Sequence, residues 1–356
     1  MSAWMRILAI ALLLSLTVGL SYEDSESFCV IFPQFGRDIF GTSQRSILIF
    51  GQDEVSLIPQ VNFEGDARDF GILIPVPALP TLSTVESTIF SEASFLTQPL
   101  VRSTGSGCGC DESDRVISPV VRTTFDVGRV ELNQRGGVTV VYEQQVGMFL
   151  ATVLQATSAG DLTKWLQENG YRYNRGDSTI LESYVARNWY FVAMKLDTSQ
   201  VPRQINRWWS ASTRPARITF PYSDPELTYP LKISSISTRL RAEVLVYTIG
   251  PEPMRFPGAR VEYANFVDEQ EAEQIRSRYT VLGQFIEPGV FITKLRRNFH
   301  ISEMNQDIQL VPTQDRREFR EILYTDRGTG PILFLAMVIL GLGHVVKGRF
   351  RTKRPT

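Results

Sequence analysis

The chain has 356 residues, 37 Lys+Arg against 38 Asp+Glu, and 43% hydrophobic with 21% charged residues. That is the composition of a globular protein and excludes a disordered stalk. Every acid lies between Glu23 and Asp326, and setting aside Arg6 and the five cations of the C-terminal tail leaves 31 cations against 38 acids. The resulting net charge of −7 excludes a nucleic-acid-binding surface and broad adhesion to anionic lipid.

The chain opens on an apolar run, Leu8–Leu20, preceded by Arg6 and followed by Ser21. One basic residue, an apolar core and then small residues read as a secretory signal over 1–21. Residues 22–324 follow as an extracytoplasmic α+β globular domain, richer in strand than in helix. Short segments rich in Val, Ile and Phe come first, at Cys29–Phe32, Ser46–Phe50, Val55–Phe63 and Phe70–Ile74. Three prolines in Ile74–Pro80 are expected to stop the ladder, since proline donates no backbone hydrogen bond. Thr84–Phe95 reads as a short amphipathic helix. A Gly/Ser/Cys/acid loop at Ser103–Ser113 breaks the pattern and sets a possible sub-boundary near 103–115.

Gly137–Tyr142 and Gly147–Gln155 then read as strands. Ser158 and Asp161 predict the start of a helix with Leu162, Trp165 and Leu166 on its buried side and Gly170 as its C-terminal cap. Ile180, Leu181, Tyr184 and Val185 predict a second helix, and Trp189–Leu196 a strand. Further strands are expected at Ile218–Phe220, Leu231–Ile236, Ala242–Ile249, Phe291–Leu295 and Ile308–Val311. A charged helix is expected over Val267–Tyr279, and an amphipathic turn or helix over Gln314–Tyr324.

Residues 325–330 form a short linker to a second apolar run, Pro331–Val346. It spans roughly 24 Å at ~1.5 Å per residue against a hydrocarbon core of about 30 Å. A transmembrane helix over 331–347 follows, with Lys347 snorkelling. The basic tail over 348–356 belongs in the cytoplasm by the positive-inside rule. The expected localisation is the cell membrane, single-pass, with the bulk of the chain outside.

Several segments resemble one set of bacterial sequences. They are Gly65-Asp-Ala-Arg-Asp-Phe-Gly-Ile-Leu-Ile-Pro-Val-Pro77, the Cys108-Gly-Cys110 loop, the Trp165-Leu166 to Gly170-Tyr171 helix end and Tyr229-Pro-Leu-Lys-Ile-Ser234. Ile292-Thr-Lys-Leu-Arg296, leading to Met304 and Asp307, completes the pattern. It resembles the bacterial family called domain of unknown function 2330. The resemblance implies export and membrane placement and supplies no catalytic residues.

The three cysteines are Cys29, Cys108 and Cys110. In an oxidising compartment they are disulfide candidates, with Cys29 stapled to one of the Cys-Gly-Cys pair. Alternatives are a strained, reducible disulfide between Cys108 and Cys110, or a metal site using these thiols. Asp111, Glu112 and Asp114 would raise the thiol pKa values and oppose a reactive thiolate.

A histidine-based triad would have to use His300, since His344 falls in the apolar run, and His300 reads as a structural residue. Glu64, Asp66 and Asp69 are weak candidates for calcium, matched equally by a polar turn. Trp208 and Trp209, among Arg203, Arg207 and Arg214, offer a surface for a glycan or protein partner, or else one ring is core. No cofactor is implied. The expected role is a binding or scaffolding module at the outer face of the membrane, more a binder than an enzyme. The alternative is a tethered enzyme or thiol-redox protein using Cys108 and Cys110.

Overall fold

The computed structural model describes residues 30–33, 43–60, 70–103, 133–147, 149–171, 178–196, 214–223, 226–238 and 240–325. They fall into two compact units, one drawn from Met1–Thr97 and Phe125–Phe319, the other from Gln98–Thr124 and Arg320–Thr356.

The first unit is strand-rich α+β, built on two large sheets. One sheet joins β1 (Val30–Pro33), β4 (Phe70–Val76), β7 (Asn133–Arg135), β8 (Val138–Val146), β9 (Phe149–Ala156) and β10 (Tyr190–Leu196), in the order β1-β4-β10-β9-β8-β7. All its pairings are antiparallel. The other joins β2 (Ser43–Phe50), β3 (Glu54–Gln60), β5 (Thr81–Thr84), β11 (Ala216–Pro221), β13 (Arg241–Gly250), β15 (Arg260–Phe266) and β16 (Phe291–His300). Its order runs β15-β16-β13-β2-β3-β11-β5, with β2 and β13 parallel. A small sheet of β12 (Leu227–Tyr229), β17 (Ile308–Pro312) and β14 (Met254–Arg255) completes the strands. A two-residue strand, β18 (Phe319–Arg320), marks the end of the unit.

Alternation along each strand decides the layering. In β4, Ile72, Ile74 and Val76 point one way and Leu73 the other. In β13, Ala242, Val244 and Val246 oppose Leu245, Tyr247 and Ile249. One face of each large sheet meets in a shared core, which also takes Tyr229 and Leu231 and, from β17, Ile308 and Leu310. The outer face of the first sheet is covered by α2 (Ala159–Glu168) and α3 (Ser178–Val185), which bury Leu162, Leu166, Leu181 and Tyr184. The outer face of the second is covered by α1 (Thr88–Leu96) and α5 (Glu269–Arg278) through Ile89, Phe90, Ala272 and Ile275. The unit is therefore helix, sheet, sheet, helix, with strands buried on both sides.

Local chemistry sets the helix ends. The Ser158 hydroxyl accepts from the Asp161 N–H at the start of α2, and Gly170 follows its end at φ +83°. Asp268 accepts from the Glu271 N–H, while acids in the first turn of α5 and arginines in its last complement the dipole. Gly71 is required by packing: a Cβ there would lie 2.0 Å from Tyr171 Cε1.

Three readings from the sequence change. Leu231–Ser234, expected as strand, is the short helix α4. Pro230 precedes it, and the Lys232 and Ile233 N–H groups are taken by Asp307 and Tyr184 rather than by a ladder. Pro75 lies inside β4, opposite Phe191 of β10. Among the described residues β1 covers only Phe70–Leu73, so Pro75 sits on a free stretch of strand edge where its missing donor costs little. Gln314–Tyr324, expected as a turn or helix, forms β18 and, in the second unit, β19 (Ile322–Thr325). There β19 pairs in parallel with β6 (Leu100–Ser103), Ile322 opposite Leu100. Among the described residues no helix is long and apolar enough to cross a membrane; the run over 331–347 lies outside them.

Candidate functional site

The residues singled out from the sequence, Cys29, Cys108, Cys110, Trp208, Trp209, Glu64, Asp66 and Asp69, lie outside the described residues. His300 is described and is structural. Its Nδ1 lies 2.8 Å from Ser302 Oγ, and its backbone N–H donates to Glu303 at 2.8 Å, capping a 3-10 turn over Ile301–Glu303. Among the described residues no cluster of three or more His, Cys, Asp or Glu is placed to hold a metal ion.

The candidate site lies instead at the end of the β2–β3 ladder. Arg45 and Gln60 face each other across that ladder, on the side covered by α1. With α1 they wall a cleft of about 380 Å³. Ser91 and Ser94 of α1, and Ser87 at its N-cap, face it at spacings of three and four residues, so they share one side of the helix. Apolar surface completes the lining, with Phe95 of α1 and, from the other sheet, Phe149 and Met194. The Gln60 side-chain oxygen is buried with no hydrogen-bond partner. Helical spacing of the serines was legible in the sequence; their meeting with Arg45 was not, because a pairing of sheet and helix brings them together.

Behind the cleft lies a cluster of charge. A β-bulge between Val261 and Tyr263 leaves Glu262 without a partner residue on β16 and turns it inward, the re-aiming that bulges perform. The Glu262 carboxylate is 5% exposed and accepts from Arg296 Nε at 2.6 Å, Arg260 at 2.5 Å and Lys294 Nζ at 3.1 Å. Arg296 also donates to Glu243. Burial pushes the Glu262 carboxyl up, but hydrogen bonds from Arg296, Arg260 and Lys294 outweigh it and hold the group down at about 2. Tyr247 links cluster to cleft. Lys294 Nζ sits 5.9 Å from its ring centroid, and Ser94 and Thr97 act on its hydroxyl from the α1 side. Burial raises the Tyr247 pKa against the opposing pull of Arg45 and Arg296, so this hydroxyl stays neutral and serves as a hydrogen-bonding group.

A second polar network holds the other end of the unit. Asp307 accepts from the Tyr184 hydroxyl at 2.6 Å, from Arg187 at 2.9 Å and from the Lys232 N–H at 3.0 Å. The Arg187 guanidinium carbon lies 4.2 Å from the Trp189 ring centroid and 4.9 Å from that of Tyr184. These bonds join the α3 end, α4 and the start of β17, which makes the network a structural pin.

Fold and site define a strand-rich α+β protein of paired, helix-covered sheets with a cleft at one sheet end. The chain belongs to the family described as "Uncharacterized protein conserved in bacteria (DUF2330)", matched over residues 24–311. No curated protein matches it. Among solved structures, the crystal structure of baculovirus P35 is similar at 10% identity and a TM-score of 0.30, over 83% of this chain and 100% of that one.

Proposed function

We propose that the protein is a binding or scaffolding module on the outer face of a bacterial membrane, exported through its N-terminal run and tethered by a helix over 331–347. The observation that carries this reading is the charge asymmetry around Pro331–Val346. All 38 acids precede that run, while five cations and no acid follow it. Moving those cations outward across the membrane potential would cost about 2.3 kcal/mol per charge per 100 mV. The cleft beside α1 supports the binding role, since its walls present a cation, an amide and hydroxyls at the edge of apolar surface.

Fusing alkaline phosphatase or a cytoplasmic fluorescent reporter after Thr356 tests the placement. A fluorescent, phosphatase-inactive C-terminus is the expected outcome. An active phosphatase there would overturn the topology.

A further inference from the structure

We infer that the tip of the β6–β19 ribbon inserts into the lipid–water interface of the membrane, beside the tether. This deepens the placement proposed above and rests on the reading that the run over 331–347 is that tether. The occupant of the ribbon's apolar surface is the bilayer, engaged through uncharged side chains.

Pairing and exposure define the tip. Among the described residues β6 and β19 pair only with each other. They run in parallel, so the ends bearing Ser103 and Thr325 lie together. A two-stranded ribbon has too little surface to bury its own side chains. Exposure rises along both strands toward that shared end. On β6, Leu100 is 42% exposed and Val101 66%. On β19, Ile322 is half-buried, Leu323 47% exposed and Tyr324 65%. Val101 stands opposite Leu323, and Tyr324 opposite the exposed Arg102. Apolar residues with a tyrosine and an arginine at the leading end suit the boundary between acyl chains and headgroups. Tyrosine is enriched there, and arginine keeps its head in water while its stem lies along apolar surface.

Chain length brings the tip to the bilayer. In sequence β19 is followed by the linker and the apolar run, and the seven residues from Tyr324 to Pro331 reach at most about 25 Å. The headgroup layer outside the hydrocarbon is roughly 5–7 Å deep. Tethering makes the contact intramolecular, so a patch too small to hold a free protein on lipid is enough. Charge does not decide the contact. Arg102, Arg320 and Arg327 stand against Glu321 and Asp326 in the ribbon and beside it in sequence. Arg320 also donates to the Gln98 carbonyl at 2.8 Å. So near a balance neither draws anionic lipid nor repels it, which leaves the apolar side chains to make the contact.

The probe is phosphatidylcholine with a photoactivatable diazirine high on one acyl chain, in vesicles that hold the unaltered full chain. Residue-level mass mapping after illumination should find lipid adducts at Tyr324 and at Val101. Glu273, an exposed residue of α5, should carry fewer by about tenfold or more. Val101 decides the matter, because more than two hundred residues separate it from the tether and only the ribbon brings it to lipid. Raising salt from ~50 to ~500 mM should leave both yields unchanged, since no charge pairing is there to be screened. Val101→Asp should cut the Tyr324 adducts several-fold, through the cost of carrying a carboxylate into the interface, and equal yields in that variant overturn the inference. Adducts on Pro331–Val346 with none at Val101 overturn it and keep the tether. No adducts on that run either removes the tether, and the inference with it. Val101 unlabelled in a chain that glutaraldehyde crosslinks into dimers overturns it in favour of a second copy on the ribbon.

Discussion

Glu262 shows how one residue depends on a backbone irregularity. Without the bulge at Val261–Tyr263 its side chain would follow the alternation of β15; with it, the carboxylate meets Arg296, Arg260 and Lys294. Its folded pKa is depressed from 4.5 to about 2. The stability it contributes is therefore complete above its unfolded pKa and is lost as pH falls through the folded value. Glu262→Gln should lower stability by roughly 3 kcal/mol at neutral pH, leaving Lys294 without its carboxylate and Arg296 with Glu243 alone. Denaturant titrations of both proteins should show that deficit shrinking as pH falls from 4.5 toward about 2. A deficit that does not change with pH would mean the loss is one of packing and not of charge. Nothing in the sequence marks Glu262, since a bulge has no residue signature here. Lys294 and Arg296 were at least visible as cations on alternate positions around Leu295.

At the scale of elements, α4 exists because its neighbours hold it. Four residues do not sustain a helix alone. The Lys232 N–H bonded to Asp307 and the Ile233 N–H bonded to the Tyr184 hydroxyl replace the ladder that the apolar pattern Leu231–Ile236 suggested. Tyr184→Phe should cost about 2 kcal/mol, since it orphans a buried N–H and one carboxylate contact together. Asp307→Asn should cost a similar amount, by setting an amide donor against groups that themselves donate. The double variant should lose clearly less than the sum, because both changes break one network. Additive losses in chemical denaturation would show that the two residues act separately. The long helices were legible beforehand: Ser158 and Gly170 mark the ends of α2, and the 3.6-residue period of Leu162, Leu166, Leu181 and Val185 gives the buried faces. The β14–β15 region was not, because Pro257 and the exposed, charged start of β15 mask its period of two.

For the whole molecule, the proposed export places the three cysteines in an oxidising compartment, where Cys29 is expected to be joined to Cys108 or Cys110. The loop would close about 80 residues, worth roughly 4 kcal/mol in the chain-entropy model before any strain. Mass mapping of non-reduced peptides should show Cys29 linked to a Cys-Gly-Cys peptide, and Cys29→Ala should lower the melting temperature and free one further thiol. A Cys108–Cys110 link with Cys29 alkylatable would favour the thiol-redox alternative. The sequence by itself determined the α+β class, the family and the capped helices of the first unit. These rest on short-range patterns: period, caps and motifs that each lie within a few tens of residues. Only the tertiary structure decided which strands are neighbours, such as β2 beside β13 in parallel across some two hundred residues of chain. It alone brought Arg45, Gln60 and the serines of α1 to one cleft. Strand order is set by which apolar faces can be covered at once, a condition on the whole fold that no local pattern encodes.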